Sequence, residues 1–106
     1  MTFIDLNQLS AIEPMPGFKG RSVHSEKMTV VNWRVKAGSR AHAHAHLHEQ
    51  INFVLEGQFE LTIGDDSKIL EPGITAIVPS NILHSGVALT DCVLIAIFHP
   101  VREDFR

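Results

Sequence analysis

Gly38-Ser-Arg-Ala-His42-Ala-His44-Ala-His46-Leu-His48-Glu-Gln50-Ile-Asn-Phe-Val-Leu-Glu-Gly57 is the stretch on which the reading of this 106-residue chain turns. Side chains at i and i+2 of a strand share a face, so any two neighbouring histidines of the run can present their imidazoles together. The even positions from His42 to Gln50 all carry a candidate ligand, and alternation alone does not say which pair faces inward. Far along the chain, His84 follows Gly73 and Pro79. Three imidazoles and one amide oxygen, drawn from two separate segments, make a four-ligand set for a divalent metal.

The rest of the chain suits a β-rich scaffold. Few segments carry a 3.6-residue apolar period, whereas short β-branched and aromatic runs recur between glycine and proline punctuation. Strands are predicted over Met28–Val35, Gln50–Glu56, Gln58–Ile63, Thr75–Val78 and Asp91–Phe98, with weaker signals at Ser22–His24 and Lys68–Leu70. Gly64-Asp65-Asp66-Ser67 reads as a hairpin turn, and Glu71-Pro72-Gly73 as a second turn that cannot continue a strand. Leu6 to Gly20 contains Pro14, Pro16 and Gly17 and is expected to be a surface-hugging arm, with a helical turn near Leu6 to Ala11 and a role against a partner subunit. Many short strands at close spacing predict a sandwich or barrel.

Composition narrows the function classes. The length suits one domain and one core, divided into an N-terminal arm or edge strand (1–27), a barrel core (28–98) and a tail (99–106). Hydrophobic residues make up 44% and charged residues 20%, with a formal net charge of −3. That balance is globular, and it offers no basic patch to neutralise a phosphate backbone, so nucleic acid is not an expected partner. Neither a signal peptide nor a membrane span is indicated, and a cytoplasmic protein with no membrane partner is expected. Cys92 is the only cysteine; in the apolar run Cys92 to Phe98 it reads as a small buried hydrophobe.

The glycines settle the register of the histidine run by resemblance. Gly38, His44, His46, Gln50 and Gly57 stand at the intervals of the first motif of the cupin superfamily, in which Gly, His, His, Glu and Gly occupy those places. His42 paired with His44 does not fit. Gly73-(five)-Pro79-Ser80-Asn81-Ile82-Leu83-His84 resembles the second cupin motif, whose last histidine completes the metal site. The resemblance implies an all-β, antiparallel jelly-roll barrel, a double-stranded β-helix, holding a divalent metal on His44, His46, Gln50 and His84. Three positions depart from the pattern: Gln50 replaces the usual Glu, Asn81 a Gly, and Ala88 a frequent Asn. Asn81 is a mild change, because asparagine tolerates a left-handed backbone. Gln50 is neutral, so it leaves the ion's double charge uncancelled and favours an anionic ligand.

A narrower resemblance rests on His44-Ala-His-Leu-His-Glu-Gln50, Val54-Leu-Glu-Gly57, Pro79 through His84-Ser-Gly86 and Phe98-His-Pro-Val-Arg-Glu-Asp104. These stretches are similar to the small single-domain cupins of pectin and alginate breakdown, the KdgF family, which convert 4,5-unsaturated monouronates into linear ketonised forms. That resemblance implies a His3Gln site accompanied by an Asp, a Phe and an Arg near the C-terminus. Phe98 and Arg102 match the last two; Ala96 stands where the Asp belongs. His99, Glu103 or a metal-bound water then remain as proton carriers. Arg102 is expected to pair with a substrate carboxylate through its planar fork, or else with Glu103 or Asp104 at the surface.

Alternation puts Leu94, Ala96 and Phe98 on one face, and groups Asn52 and Val54 with Gln50 along the cavity. Phe59, Leu61 and Ile63 read as core, and Trp33 as core or interface. His42, His48, His24 and His99 fall outside the ligand set. The function expected is ring opening or enol-to-keto isomerisation of a small anionic sugar derivative, with Arg102, Phe98 and His99 as candidate catalytic residues. Two other classes remain: a metal-dependent dioxygenase of a small organic substrate, and a metal-containing binding module without turnover. Zinc, nickel, manganese, iron and copper all suit a His3Gln set. A homodimer is expected, because pairing covers an exposed sheet edge.

Overall fold

The computed structural model describes residues 2–106. Ten strands form two antiparallel sheets. They are β1 (Ile12–Met15), β2 (Phe18–His24), β3 (Thr29–Val35), β4 (Arg40–His44), β5 (Glu49–Glu56), β6 (Phe59–Ile63), β7 (Asp66–Leu70), β8 (Thr75–Val78), β9 (His84–Ala88) and β10 (Cys92–His99). One sheet runs β1-β2-β3-β10-β5-β8 and the other β4-β9-β6-β7. The chain passes repeatedly from one sheet to the other, so the layers are two halves of one jelly roll. Short 3-10 turns lie at Leu6–Gln8 and Glu103–Phe105. Among the described residues no helix is long and apolar enough to cross a membrane.

Strict alternation builds the interior. Along β10, Cys92, Leu94, Ala96 and Phe98 are buried, while the residues between them face outward. Along β3, Val31, Trp33 and Val35 do the same. Phe59 and Leu61 of β6 meet these from the opposite sheet, with Ile63 packed against them. Phe18 is edge-on to both Trp33 (5.9 Å between centroids) and Phe59 (6.1 Å), so aromatic contacts tie the two layers together. Cys92 is buried, and burial raises its thiol pKa.

The segment read as an arm supplies one edge strand and the start of another. After the 3-10 turn, capped by the Asp5 carboxylate accepting from Asn7 N–H, β1 and β2 form a hairpin on the edge of the six-stranded sheet. β2 pairs with β3 from Phe18 opposite Val35 to His24 opposite Thr29. Phe18 drives this, since its ring is buried in the barrel's own core. Pro14 is tolerated because β1 is the sheet's outermost strand. The β6–β7 turn is also tighter than expected: Ile63 pairs with Asp66, leaving Gly64 and Asp65 as its two residues.

Two punctuating positions carry specific geometry. Gly57 has φ +88°, and a Cβ there would run into the Asp91 carbonyl oxygen. Asn81 has φ 63°, the left-handed conformation expected of a glycine substitute.

Candidate metal centre

Strand pairing assembles the site. His44, the last residue of β4, and His84, the first of β9, are direct partners across one ladder, with ring centroids 4.3 Å apart. Gln50 on β5 lies opposite Phe98 of β10 and Val78 of β8. His46 follows β4 in a loop, and the turn of the second motif holds that loop. Asn81 N–H donates to the His46 carbonyl at 2.8 Å, and the Ser80 hydroxyl to the Leu47 carbonyl at 2.6 Å. The side chains of His44, His46 and His84 thereby bring one ring nitrogen each to within 4.8 Å of one another.

The hydrogen bonds prepare these nitrogens for a cation. In each ring Nδ1–H donates to a backbone carbonyl: His44 to His42 (2.7 Å), His46 to His48 (2.9 Å) and His84 to Ile82 (2.9 Å). That leaves Nε2 of each ring as the nitrogen free to ligate. His84 Nε2 is buried with no partner. His46 Nε2 lies 3.1 Å from Gln50 Oε1. With Nδ1 protonated both of these atoms are acceptors, so no hydrogen bond joins them and a cation between them satisfies both. Gln50 is turned this way because its Nε2–H donates to Asn52 Oδ1 at 2.8 Å. Burial pushes the His46 and His84 pKa values below the ordinary histidine value, and the nearby Arg102 guanidinium adds to the shift. Both rings are thus neutral, the form that ligates. The residues present fit a divalent ion held by His44, His46, His84 and Gln50.

His44, His84 and Gln50 line a cavity of about 260 Å³. Its deeper wall is apolar, with Trp33, Val54, Phe59 and Leu61. Its other end carries Arg102 and Asp104, delivered by the tail. Arg102 Cζ lies 4.7 Å from the Phe98 ring centroid and 4.1 Å from that of Phe105. The guanidinium donates to Asp104 from Nε (2.9 Å) and Nη2 (2.7 Å), which depresses the carboxyl pKa. The surface alternative foreseen for Arg102 therefore holds in part: the pair with Asp104 exists, yet its guanidinium is largely buried at the cavity. Arg102 N–H also donates to Thr29 Oγ1 at 2.8 Å, and Thr29 is fully buried.

His99 is not brought to the site. It follows Phe98 on β10 and so points to the opposite face, where it is exposed. Glu103 does not line the cavity either; it faces Arg106 at 3.7 Å. Ala96, 2% exposed, sits between Val31 and Asn52 in the sheet and brings no charge to that wall. His48 is not grouped with the three ligand rings; its Nε2–H donates to the Val101 carbonyl at 3.3 Å, tying the metal loop to the tail. His42 is exposed, and His24 Nδ1 hydrogen-bonds Thr29 Oγ1 at 2.8 Å, outside the cluster. The roles of Asn52 in orienting Gln50 and of Thr29 and Phe105 in fixing Arg102 were not anticipated. A phenylalanine and an acid clustered just after Pro100 were the available signal.

A jelly roll with a His3Gln cluster at its open end defines a cupin, and the family model described as a cupin domain matches residues 31–98. The chain belongs to the cupin family. It is similar to the pectin degradation protein KdgF of Dickeya dadantii (strain 3937), with 34% identity over 83 residues, 76% of each chain. Among solved structures, KdgF from Halomonas sp. superposes with a TM-score of 0.91 at 27% identity, covering 100% of this chain and 99% of that one. An RmlC-like cupin from Shewanella frigidimarina gives a TM-score of 0.93 at 29% identity, covering 100% and 96%.

Proposed function

We propose that this cupin acts in polyuronate breakdown, opening or ketonising the ring of an unsaturated monouronate in a metal-dependent isomerisation. The observation that carries this reading is the placement of His44, His84 and Gln50 with Phe98 and Arg102 around one cavity, with His46 clustered against His44 and His84, in a chain similar to KdgF proteins. When bound, a divalent ion supplies Lewis-acid polarisation of a substrate oxygen. Arg102 binds the substrate carboxylate, and Phe98 forms the wall beside it. The apolar deep wall excludes water from the ring carbons, which strengthens the electrostatic contacts at the polar end.

No titratable group stands at Ala96, and His99 and Glu103 lie outside the cavity. Asp104 stays ionised with both oxygens held by Arg102. Water is therefore the carrier left of those expected, and turnover is expected to fall short of a cupin with a positioned carboxylate by about 10²–10⁴-fold. The same alanine favours one further reading, a metal-containing module that binds such an acid without turning it over.

Incubating metal-loaded protein with unsaturated monouronates from pectin and from alginate, while following loss of the double-bond absorbance, separates the two. Acceleration that His46→Ala and Arg102→Ala both abolish supports the isomerase. No acceleration at full metal occupancy removes it.

A further inference from the structure

We propose that Asp104 is a positioning residue that presents Arg102 end-on to a ligand carboxylate at the mouth of the cavity; this rests on the anionic-substrate reading above. A guanidinium has five N–H donors, and its two bidentate edges are distinct: the side formed by Nε and Nη2, and the end formed by Nη1 and Nη2. Asp104 occupies the side edge with both oxygens, at 2.9 and 2.7 Å. Phe98 and Phe105, with their rings 81° apart, both lie against the guanidinium and hem it in from two sides. Thr29 Oγ1 anchors the Arg102 backbone. Its flanks, side edge and anchor are all set.

What remains is the end edge. Nη1 makes no hydrogen bond among the described residues, yet it is not one of their buried unpartnered atoms, so it faces open volume. Arg102 lines the same cavity as His44, His84 and Gln50. A carboxylate there receives two parallel N–H···O bonds. Because Asp104 already balances the guanidinium's charge, Arg102 supplies geometry more than net attraction. A side-on competitor would behave in the opposite way: if ligands had to displace Asp104, removing its charge would tighten binding.

Calorimetric titration of the zinc-loaded full chain with pyruvate, D-galacturonate and galacturonate methyl ester decides this, using wild type, Asp104→Asn and Asp104→Glu. Asp104→Asn is expected to weaken carboxylate binding about tenfold, because it loses one of the two acceptors that orient the fork, and to leave zinc content unchanged. Asp104→Glu is expected to restore part of the loss, and the ester to bind poorly to all three proteins. Tighter or unchanged carboxylate binding by Asp104→Asn overturns the proposal, as does failure of the wild type to bind either carboxylate. If pyruvate binds and shows the Asp104 effect while galacturonate does not bind, the positioning role stands and the uronate reading falls.

Discussion

His44 and His84 face one another across the β4–β9 ladder with their rings 4.3 Å apart, and each ring nitrogen on the far side is locked to a carbonyl. Two imidazoles so close are compatible because each turns Nδ1–H away to a carbonyl, and a cation is accommodated between them. A saturating ion at about one hundred times its dissociation constant should stabilise the fold by about 2.7 kcal/mol, raising the melting point by roughly 10 °C. Calorimetry of chelated and zinc-loaded protein measures this, and His84→Ala should cancel the difference. A zinc-induced rise that survives His84→Ala would locate the ion elsewhere.

Asn52 turns the Gln50 amide so that its oxygen meets His46. Asn52→Leu leaves every ligand in place and removes only that orientation. Zinc affinity, measured by competition with a chromophoric chelator, should fall about 10–100-fold. Gln50→Glu should have the reverse effect, since a carboxylate neutralises part of the ion's charge.

The metal-free protein has a defined acid sensitivity. His46 and His84 have folded-state pKa values below 6.5, so the unfolded chain binds more protons than the folded one in the window beneath that value. Stability is fully present above about pH 6.5 and is lost as pH falls from there toward the lowered folded values. Asp104, also lowered, contributes stability above its ordinary 3.8 that is lost in a separate, more acid window. Melting temperatures of chelated protein between about pH 7.5 and pH 5 should fall with acid, and less steeply in His46→Ala.

The outer face of the six-stranded sheet carries Phe53, Leu55 and Ile77, which are 37%, 50% and 63% exposed. Ile51 pairs with Ile77 and Ile97, and Ile95 with Phe53, so these side chains form one continuous apolar surface. Such surfaces are usually covered. Light scattering should give the mass of a homodimer, with this face as the interface, and Ile77→Lys should return a monomer. A monomeric wild type at micromolar concentration would exclude the dimer.

Much of the architecture was legible because alternation and punctuation are local. The expected strands at 28–35, 50–56, 58–63, 75–78 and 91–98 correspond to β3, β5, β6, β8 and β10. β9 was missed, since His84-Ser-Gly-Val-Ala carries little β-branched content and is held as a strand by its neighbours β4 and β6. β2 was read too short, because Lys19 and Gly20 look like loop until Phe18 is known to be inside. At the site, alternation offered every even position from 42 to 50, and both the choice of His44, His46 and His84, which cluster in the fold, and the reading of the tail came by resemblance. Thr29 meets Arg102 across 73 residues through tertiary packing, which leaves no periodic trace. His99 failed for a simple reason: it adjoins Phe98, and adjacent strand residues cannot share a face.

The candidate ligands come from both layers and from the loop that carries His46. His44 and His84 sit on the four-stranded sheet, and Gln50 on the six-stranded one. An ion bound to all of them acts as a rivet through the hollow of the barrel, so loss of the ion should let the two half-shells breathe against each other at the open end. Amide exchange at β4 and β5 should then quicken together on chelation, although no backbone hydrogen bond joins those strands, and the spacing of the shells becomes a mechanical property set by the radius of whichever ion the cell provides.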